Sequence, residues 1–204
     1  IPIFDRKSRE LLLKCCKFDW SKISPAIFGS IFQSIKNIKE RRIAGEHYTS
    51  ERNILKAIKT LFLDDLIDEF DKSKPNSAKL SQLHNKMGSF KFLDPACGCG
   101  NFLVIAYREL RLLELEILKI LTAKSKIDVT GGAQIKIDLL LKLNVDQFYG
   151  IEILEWPARI AEVAMWLMDH QMNLEVGLQL GDPPLRLPLK KSPHIIKDNA
   201  LRIN

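Results

Sequence analysis

The order of apolar segments predicts an α/β fold: one half of a doubly wound parallel sheet, preceded by a helical region. Three observations carry that expectation. Short apolar runs recur at "KFLDP" (91–95), "QFYGIEI" (147–153) and "HIIKDNAL" (194–201), with turn residues close by. Longer stretches lie between them, in which apolar residues return at helical spacing. The first run also ends in a glycine-rich turn, "DPACGCGNFL" (94–103), that enters a helix directly. Strand, helix, strand, helix, strand at these intervals is the plan of parallel strands joined by helical crossovers.

In chain order, Ile27, Phe28, Ile31, Phe32, Ile35 and Ile38 fall on one face of a helix over 26–39, which predicts a wide buried stripe. The charged "KERR" (39–42) and then "GEHYTSE" (45–51) break the pattern. It resumes with Ile54, Leu55, Ile58, Leu61, Phe62 and Leu66, where Thr49 or Ser50 suits the N-cap and Glu51 opposes the helix dipole. "DKSKPNSAK" (71–79) has the chemistry of a loop. Pro95 ends the first strand, and a long helix is expected from Asn101 to Leu121. An exposed loop over 123–132 and a further helix over 135–143 should follow. The second strand leads into a helix that admits Pro157 in its first turn and carries Ile160, Val163, Ala164, Leu167 and Met168 inward. Trp156 and Trp166 read as packing groups. Residues 181–193 are too rich in proline for regular structure, and the third strand starts at His194. The chain opens at Ile1 and stops at Asn204 in what reads as the end of a strand, as a piece of a longer protein would.

At 204 residues and 46% hydrophobic content the chain can bury a full core. No run approaches the ~20 apolar residues of a membrane span and no signal segment opens the chain, so a cytoplasmic location and no membrane partner are expected. The net charge of +6 is uneven: residues 1–60 hold 13 Lys or Arg against 6 Asp or Glu, whereas 61–204 hold 18 against 19. A basic lobe beside a neutral one suits a polyanion, nucleic acid foremost, and is equally consistent with a lysine-rich soluble surface. Cys15 and Cys16 are adjacent, and Cys97 and Cys99 are one residue apart. Neither spacing suits a disulfide framework or a CxxC zinc knuckle, so all four read as reduced thiols.

The glycine loop limits what the protein can bind. A P-loop needs Lys-Ser/Thr entering the helix, and Asn101 and Phe102 stand there. A dinucleotide loop needs a third glycine or alanine where Leu103 sits, and the next strand-end acid, Glu152, lies far beyond the usual ~20 residues. A metal on Cys97 and Cys99 needs two more ligands, and His84 and His170 carry no paired spacing. Of the known glycine loops, this one most resembles that of S-adenosylmethionine-dependent methyltransferases.

"DPACGCGNFL" resembles the motif D-P-A-C-G-x-G-x-F/L of amino-methylating DNA adenine methyltransferases, with Cys99 at the usual serine. "WSKISPAIFGSIFQ" (20–33), "GEHYTS" (45–50), "FYGIEI" (148–153), "ARIAEVAMWLMDHQMN" (158–173) and "HIIKDNALRIN" (194–204) are similar to successive segments of the methyltransferase region of type IIG (MmeI-like) restriction-modification proteins. The likeness spans about residues 19–204. It implies a Rossmann-like class I S-adenosylmethionine-dependent methyltransferase fold with a partial sheet. Residues 45–204 would form the N-terminal, cofactor-binding half of the methyltransferase domain, and residues 1–44 a helical connector.

The resemblance also implies roles. Asp94 would hold the methionine amino group of the cofactor, in a loop of Pro95, Ala96, Gly98, Gly100, Asn101 and Phe102 whose glycines keep Cβ atoms out of the ligand's way. Glu152 would accept both ribose hydroxyls, and Ile153 would flank the adenine ring. Asp198 or Asn199, with Asn199 the closer match, would take a hydrogen bond from the adenine amino group. Tyr48 and Thr49 would close over the methionine end, while His47 reads as a loop histidine satisfied locally. Cys97 and Cys99 become small loop fillers.

The family's catalytic N/D-P-P-Y/F has one near match, "DPPL" (182–185), but Leu185 cannot stack on a flipped base and the segment precedes Asn199. The motif is therefore expected beyond Asn204, and no catalytic residue is assigned. The intact protein would act on double-stranded DNA, with a fused or associated endonuclease and a target-recognition domain. Two other readings stand beside it: methylation of RNA or protein, and a non-catalytic basic nucleic-acid-binding module that keeps the fold.

Overall fold

A computed structural model describes residues 5–18, 23–27, 29, 31, 49–125, 140–180 and 192–203. Its helices are α1 (Arg6–Lys17), α2 (Glu51–Ile58), α3 (Asp64–Ser73), α4 (Ser77–Gly88), α5 (Asn101–Ser125) and α6 (Glu155–Leu180). Its strands are β1 (Phe92–Asp94), β2 (Phe148–Glu152) and β3 (His194–Lys197). The strands form one parallel sheet in the order β1-β2-β3, pairing Phe92 with Phe148, Asp94 with Gly150, Tyr149 with His194 and Glu152 with Lys197. Among the described residues no helix is long and apolar enough to cross a membrane.

Alternation along the strands gives the sheet two unlike faces. Phe92, Phe148 and Ile195 turn toward the core, where Phe92 stacks on Phe148 at 4.9 Å and the Tyr107 ring meets Phe148 edge-on at 5.2 Å. The other face carries Leu93, Tyr149, His194 and Ile196, and it is open: Leu93 is 62% and Ile196 47% exposed. Helices α5 and α6 lie against each other, with Leu103, Val104, Tyr107 and Leu110 of one and Ala161, Ala164, Met165 and Met168 of the other in a common core.

Several expectations change. The 71–79 segment is mostly helical: α3 runs to Ser73 and α4 starts at Ser77, because Asn76 acts as an N-cap, accepting from the Ala78 and Lys79 amides at 2.9 and 3.2 Å. Leu80, Leu83 and Met87 then bury an apolar face of α4, in a stretch to which the sequence reading assigned no element. Between α2 and α3 a π-helical turn, Lys59–Leu63, adds a residue to the period. Leu63 therefore points inward, and Leu61, expected in the core, is 71% exposed.

On α6, Ala164 and Met168 are buried as expected, but Val163 is exposed and Ala158, Ala161 and Met165 face in, since small residues let the helix approach its neighbours closely. Trp156 stands in solvent, whereas Trp166 packs against the core as expected. Before residue 32 the apolar stripe is reversed: Ile27 and Ile31 are exposed, while Ala26 and Gly29 are buried. Phe28, Phe32, Ile35 and Ile38 lie outside the described residues.

Helix α5 extends past Leu121 to Ser125, and the rest of the expected 123–132 loop lies outside the description. Of the helix expected over 135–143, Leu140 is helical and Leu141–Leu143 are not, because the Lys142 and Leu143 amides turn to Glu114 instead of a helical ladder. Strand β3 ends at Lys197, and the chain then turns through Asp198–Arg202 with an Arg202 amide bond to the Asn199 carbonyl at 2.8 Å. Residues 200–202 thus form a turn and not a strand.

A polar cluster is sealed between the helices. Arg111 of α5 is fully buried and donates to the Tyr107 hydroxyl (2.8 Å), Asn173 Oδ1 (2.9 Å) and the Leu143 carbonyl (3.4 Å), beside Asp169 at 3.4 Å and Glu114 at 3.3 Å. Glu114 Oε1 meets His84 Nε2 at 2.9 Å and accepts the Lys142 and Leu143 amides at 2.6 and 3.0 Å. Burial works to raise the Glu114 pKa, but the His84 hydrogen bond and the Arg111 charge outweigh it and hold the group below the usual carboxylate range.

Removing a buried ion while its partners stay is costly. Arg111→Met should lower stability by about 3–5 kcal/mol in urea denaturation, against under about 1 kcal/mol for Lys119→Met at an exposed pair. Because the folded pKa of Glu114 is depressed, its contribution is present above the unfolded value and lost as pH falls through the folded one. Glu114→Gln should therefore be weaker at neutral pH and show a flatter decline of stability below about pH 4.

Candidate functional site

The parallel register brings three acidic strand ends to one edge of the sheet. Asp94 closes β1 opposite Gly150, Glu152 closes β2 opposite Lys197, and Asp198 follows β3 with its amide bonded to the Glu152 carbonyl at 3.0 Å. Ligands of open α/β sheets bind at such carboxyl ends.

The glycine loop is tied to this edge by hydrogen bonds. The Cys97 amide donates to the Ile151 carbonyl at 3.0 Å, and the Gly100 amide to the Cys97 carbonyl at 2.8 Å. Asp94 Oδ1 accepts the Ala96 amide at 3.1 Å. Glu152 clasps two segments at once: Oε2 accepts the Gly98 amide at 3.0 Å and Oε1 the Leu154 amide at 2.8 Å. Each of its oxygens retains a lone pair for a further donor.

Gly98 and Gly100 both have positive φ, 55° and 80°, but for different reasons. A Cβ on Gly98 would face open space. One on Gly100 would come within 2.9 Å of the Ala161 Cβ, so the missing side chain there is what lets α5 and α6 touch.

Burial raises the Asp94 pKa, with the Ala96 hydrogen bond working against it. Burial also pushes the Cys97 thiol up to about 12, helped by the nearby charges of Asp94 and Glu152. Cys97 is thus a neutral spacer, and a Cβ on Gly150 would lie 2.7 Å from its sulfur. That agrees with the loop-filler reading of Cys97. Among the described residues no group of His, Cys, Asp and Glu could hold a metal ion.

The other expected site residues divide. Pro95 and Ala96 are exposed on the loop, and Ile153 is 58% exposed beside Glu152. Asn199 is half-buried, its Oδ1 accepting the Leu201 amide at 3.0 Å, and Asp198 is exposed with Oδ1 on the Asn199 amide at 2.7 Å. Phe102 packs against the core. Thr49 is half-buried ahead of Ser50, which caps α2 through its carbonyl and not its side chain. An ion pair of Glu51 with Arg108 at 2.7 Å binds that helix start to α5. Tyr48 and His47 lie outside the described residues, as does "DPPL". Sequence reasoning missed the Leu154 amide and the Cys97–Gly150 contact; the signal for the second was a glycine inside a strand, which marks close approach.

Two carboxylates with spare lone pairs flank a loop that contains no cation. The arrangement suits a ligand carrying ammonium and hydroxyl groups, not a phosphate. Residues 70–204, which hold the sheet, the loop and both long helices, match the family described as MmeI, DNA-methyltransferase domain. The chain belongs to that family. This MmeI-family chain is 38% identical over 202 residues to DNA methyltransferase A of Bacillus subtilis (strain 168), covering 98% of itself and 22% of that relative. It also superimposes with a TM-score of 0.87 on the solved structure of the Type IIL restriction-modification enzyme MmeI in complex with DNA. There the identity is 57%, over 98% of this chain and 26% of the other. The chain thus spans about a quarter of the length of the relatives it matches.

The two glycines should respond differently to substitution. Gly98→Ala should cost about 1–2 kcal/mol, from backbone strain alone. Gly100→Ala adds a collision with Ala161 and should cost more, as thermal or urea denaturation of the two variants would show.

Proposed function

We propose that this chain binds S-adenosylmethionine across the carboxyl ends of its strands, as the cofactor-binding part of a DNA adenine N6-methyltransferase of a restriction-modification system. The observation that carries the reading is the clasp of the Gly98 amide by Glu152 beside Asp94, which gathers the loop and two strand-end carboxylates at one place. The residues present fit the cofactor. Asp94 would hold the amino group through the oxygen not engaged by Ala96, and Glu152 the ribose hydroxyls through its remaining lone pairs. Open space at Gly98 leaves room for a ligand against the backbone, and Ile153 offers an exposed apolar surface for a ring. Asn199 or Asp198 would accept from the adenine amino group, and Thr49 with Tyr48 would cover the methionine end.

When bound, S-adenosylmethionine supplies a methyl group on a positively charged sulfur. The chain's own contribution is to place it, with anionic and apolar groups set in advance. DNA as substrate rests on the relatives' descriptions and on the basic excess before residue 60, and adenine as target on the resemblance of the loop motif. Residues 45–204 would act as the cofactor-binding half and residues 1–44 as a connector. Leu185 cannot take the place of a stacking aromatic, so the chain alone should bind cofactor and leave DNA unmethylated.

Calorimetric titration tests the reading. Saturable one-to-one binding is expected, with Asp94→Asn and Glu152→Gln each raising Kd by about 10- to 100-fold, the worth of a hydrogen bond to a charged group. Asp94 must be ionised to hold the cofactor's cation, and its pKa is raised. Affinity should therefore begin to fall on acidification at a pH above the usual aspartate value of about 3.9, and that dependence should vanish in Asp94→Asn. A folded chain that binds no cofactor would refute the proposal.

A further inference from the structure

Residues Ile23, Ala26 and Gly29 of the N-terminal segment contact α6, the main core and the glycine loop in turn. The Ile23 carbonyl accepts from Gln171 Nε2 of α6 at 2.8 Å, Ala26 is almost wholly buried in the main core, and Gly29 is buried. The end at Gly29 faces the start of α5: a Cβ there would lie 2.9 Å from Asn101 Nδ2, 3.0 Å from its Oδ1 and 3.2 Å from the Cys99 Cβ. Both amide atoms are nearly equidistant from that point, so the flat Asn101 amide rests on the bare Gly29 backbone.

Asn101 Oδ1 is buried there without a hydrogen-bond partner. An unmet acceptor costs about 1–3 kcal/mol, so the amide does not hold this position through bonds of that oxygen. Packing against Gly29 holds it.

We infer that Gly29 is a positioning residue for the glycine loop: it seats the Asn101 amide and Cys99, and through them sets the Gly98–Gly100 backbone that Glu152 clasps. The effect on ligand affinity rests on the cofactor reading given above; the effect on the loop does not. Any side chain at position 29 must displace the amide of Asn101 and push Cys99 back, and both residues are covalently part of the loop. The smallest perturbation, a methyl group, should therefore be felt at the Gly98 and Gly100 amides, 69 or more residues away in sequence.

The test is amide hydrogen exchange by NMR on the full chain, together with cofactor titration, for wild type, Gly29→Ala, Gly29→Ala with Asn101→Ala, and Gln171→Ala. Gly29→Ala should speed exchange at Gly98 and Gly100 at least tenfold, leave Phe148–Ile151 of β2 unchanged, and raise Kd for S-adenosylmethionine about tenfold. Shortening Asn101 in the same chain should restore much of the loop protection. Gln171→Ala, which frees the other end of the segment without a collision, should speed the same amides more mildly and keeps the test open if Gly29→Ala does not fold. Loop exchange unaltered in Gly29→Ala, exchange raised equally in loop and sheet, or, where Gly29→Ala is unfolded, loop amides unaltered in Gln171→Ala, would each overturn the inference. Loss of loop protection in Gly29→Ala, where the wild-type chain itself binds no cofactor, would support the positioning role and refute the cofactor reading separately.

Discussion

The buried guanidinium of Arg111 fixes how the two long helices meet. A buried cation needs hydrogen-bond acceptors and opposite charge: Tyr107, Asn173, the Leu143 carbonyl and Asp169 accept from its terminal nitrogens, and Glu114 stands 3.3 Å from Nε as an ion pair without a hydrogen bond. Rotating or sliding α5 against α6 would break these contacts, so the cluster restrains both motions. The second point of attachment is Gly100 against Ala161, 11 residues earlier, or about 16 Å along the helix. Between these two points the start of α5 is held, and with it the glycine loop.

From that fixed start the site follows by short steps. The loop amides are already committed: Cys97 to Ile151, Gly100 to Cys97, Gly98 to Glu152. A carboxylate that clasps backbone amides is held in one orientation, so little freedom remains to be lost when a ligand reaches its unused lone pairs. Burial raises the Asp94 pKa, and the Ala96 amide offsets only part of that desolvation. A cationic ligand group would supply the rest. The neutral Cys97 thiol fills the space between the two carboxylates' strands and adds no third charge.

The strands were legible because β-branched and aromatic runs bounded by turn residues mark buried parallel strands well, and all three lie where those runs fall. Asp94 and Glu152 were legible as strand-end acids in register with a loop motif. Other features depend on contacts that a one-dimensional pattern does not hold. Periodicity located a helical stripe around Ile27 and Ile31 but could not say that the small residues Ala26 and Gly29, and not the large ones, face inward. The extra residue of the π turn at Lys59–Leu63 has no residue signature, so every assignment of facing just beyond it was at risk, and Leu61 was misplaced. Asn76 after Pro75 was taken for a loop when it separates two helices, since the same residues serve as caps. The Arg111 cluster was invisible because its members come from four separate segments.

Three close contacts, Gly100 with Ala161, Gly150 with Cys97 and Gly29 with Asn101, share one property: each pairs a bare backbone with a side chain that occupies the vacated space. During divergence these positions cannot drift singly. A gain of volume on one side needs the facing side chain to shift or to shrink, so substitutions at the two members of a pair are coupled. The joined pairs link the N-terminal segment, the loop, the second strand and α6. Recombination that exchanges any one of these elements with a distant relative would have to carry its contact partner with it, which makes the block from Gly29 to Ala161 a unit of inheritance larger than any of its secondary-structure elements.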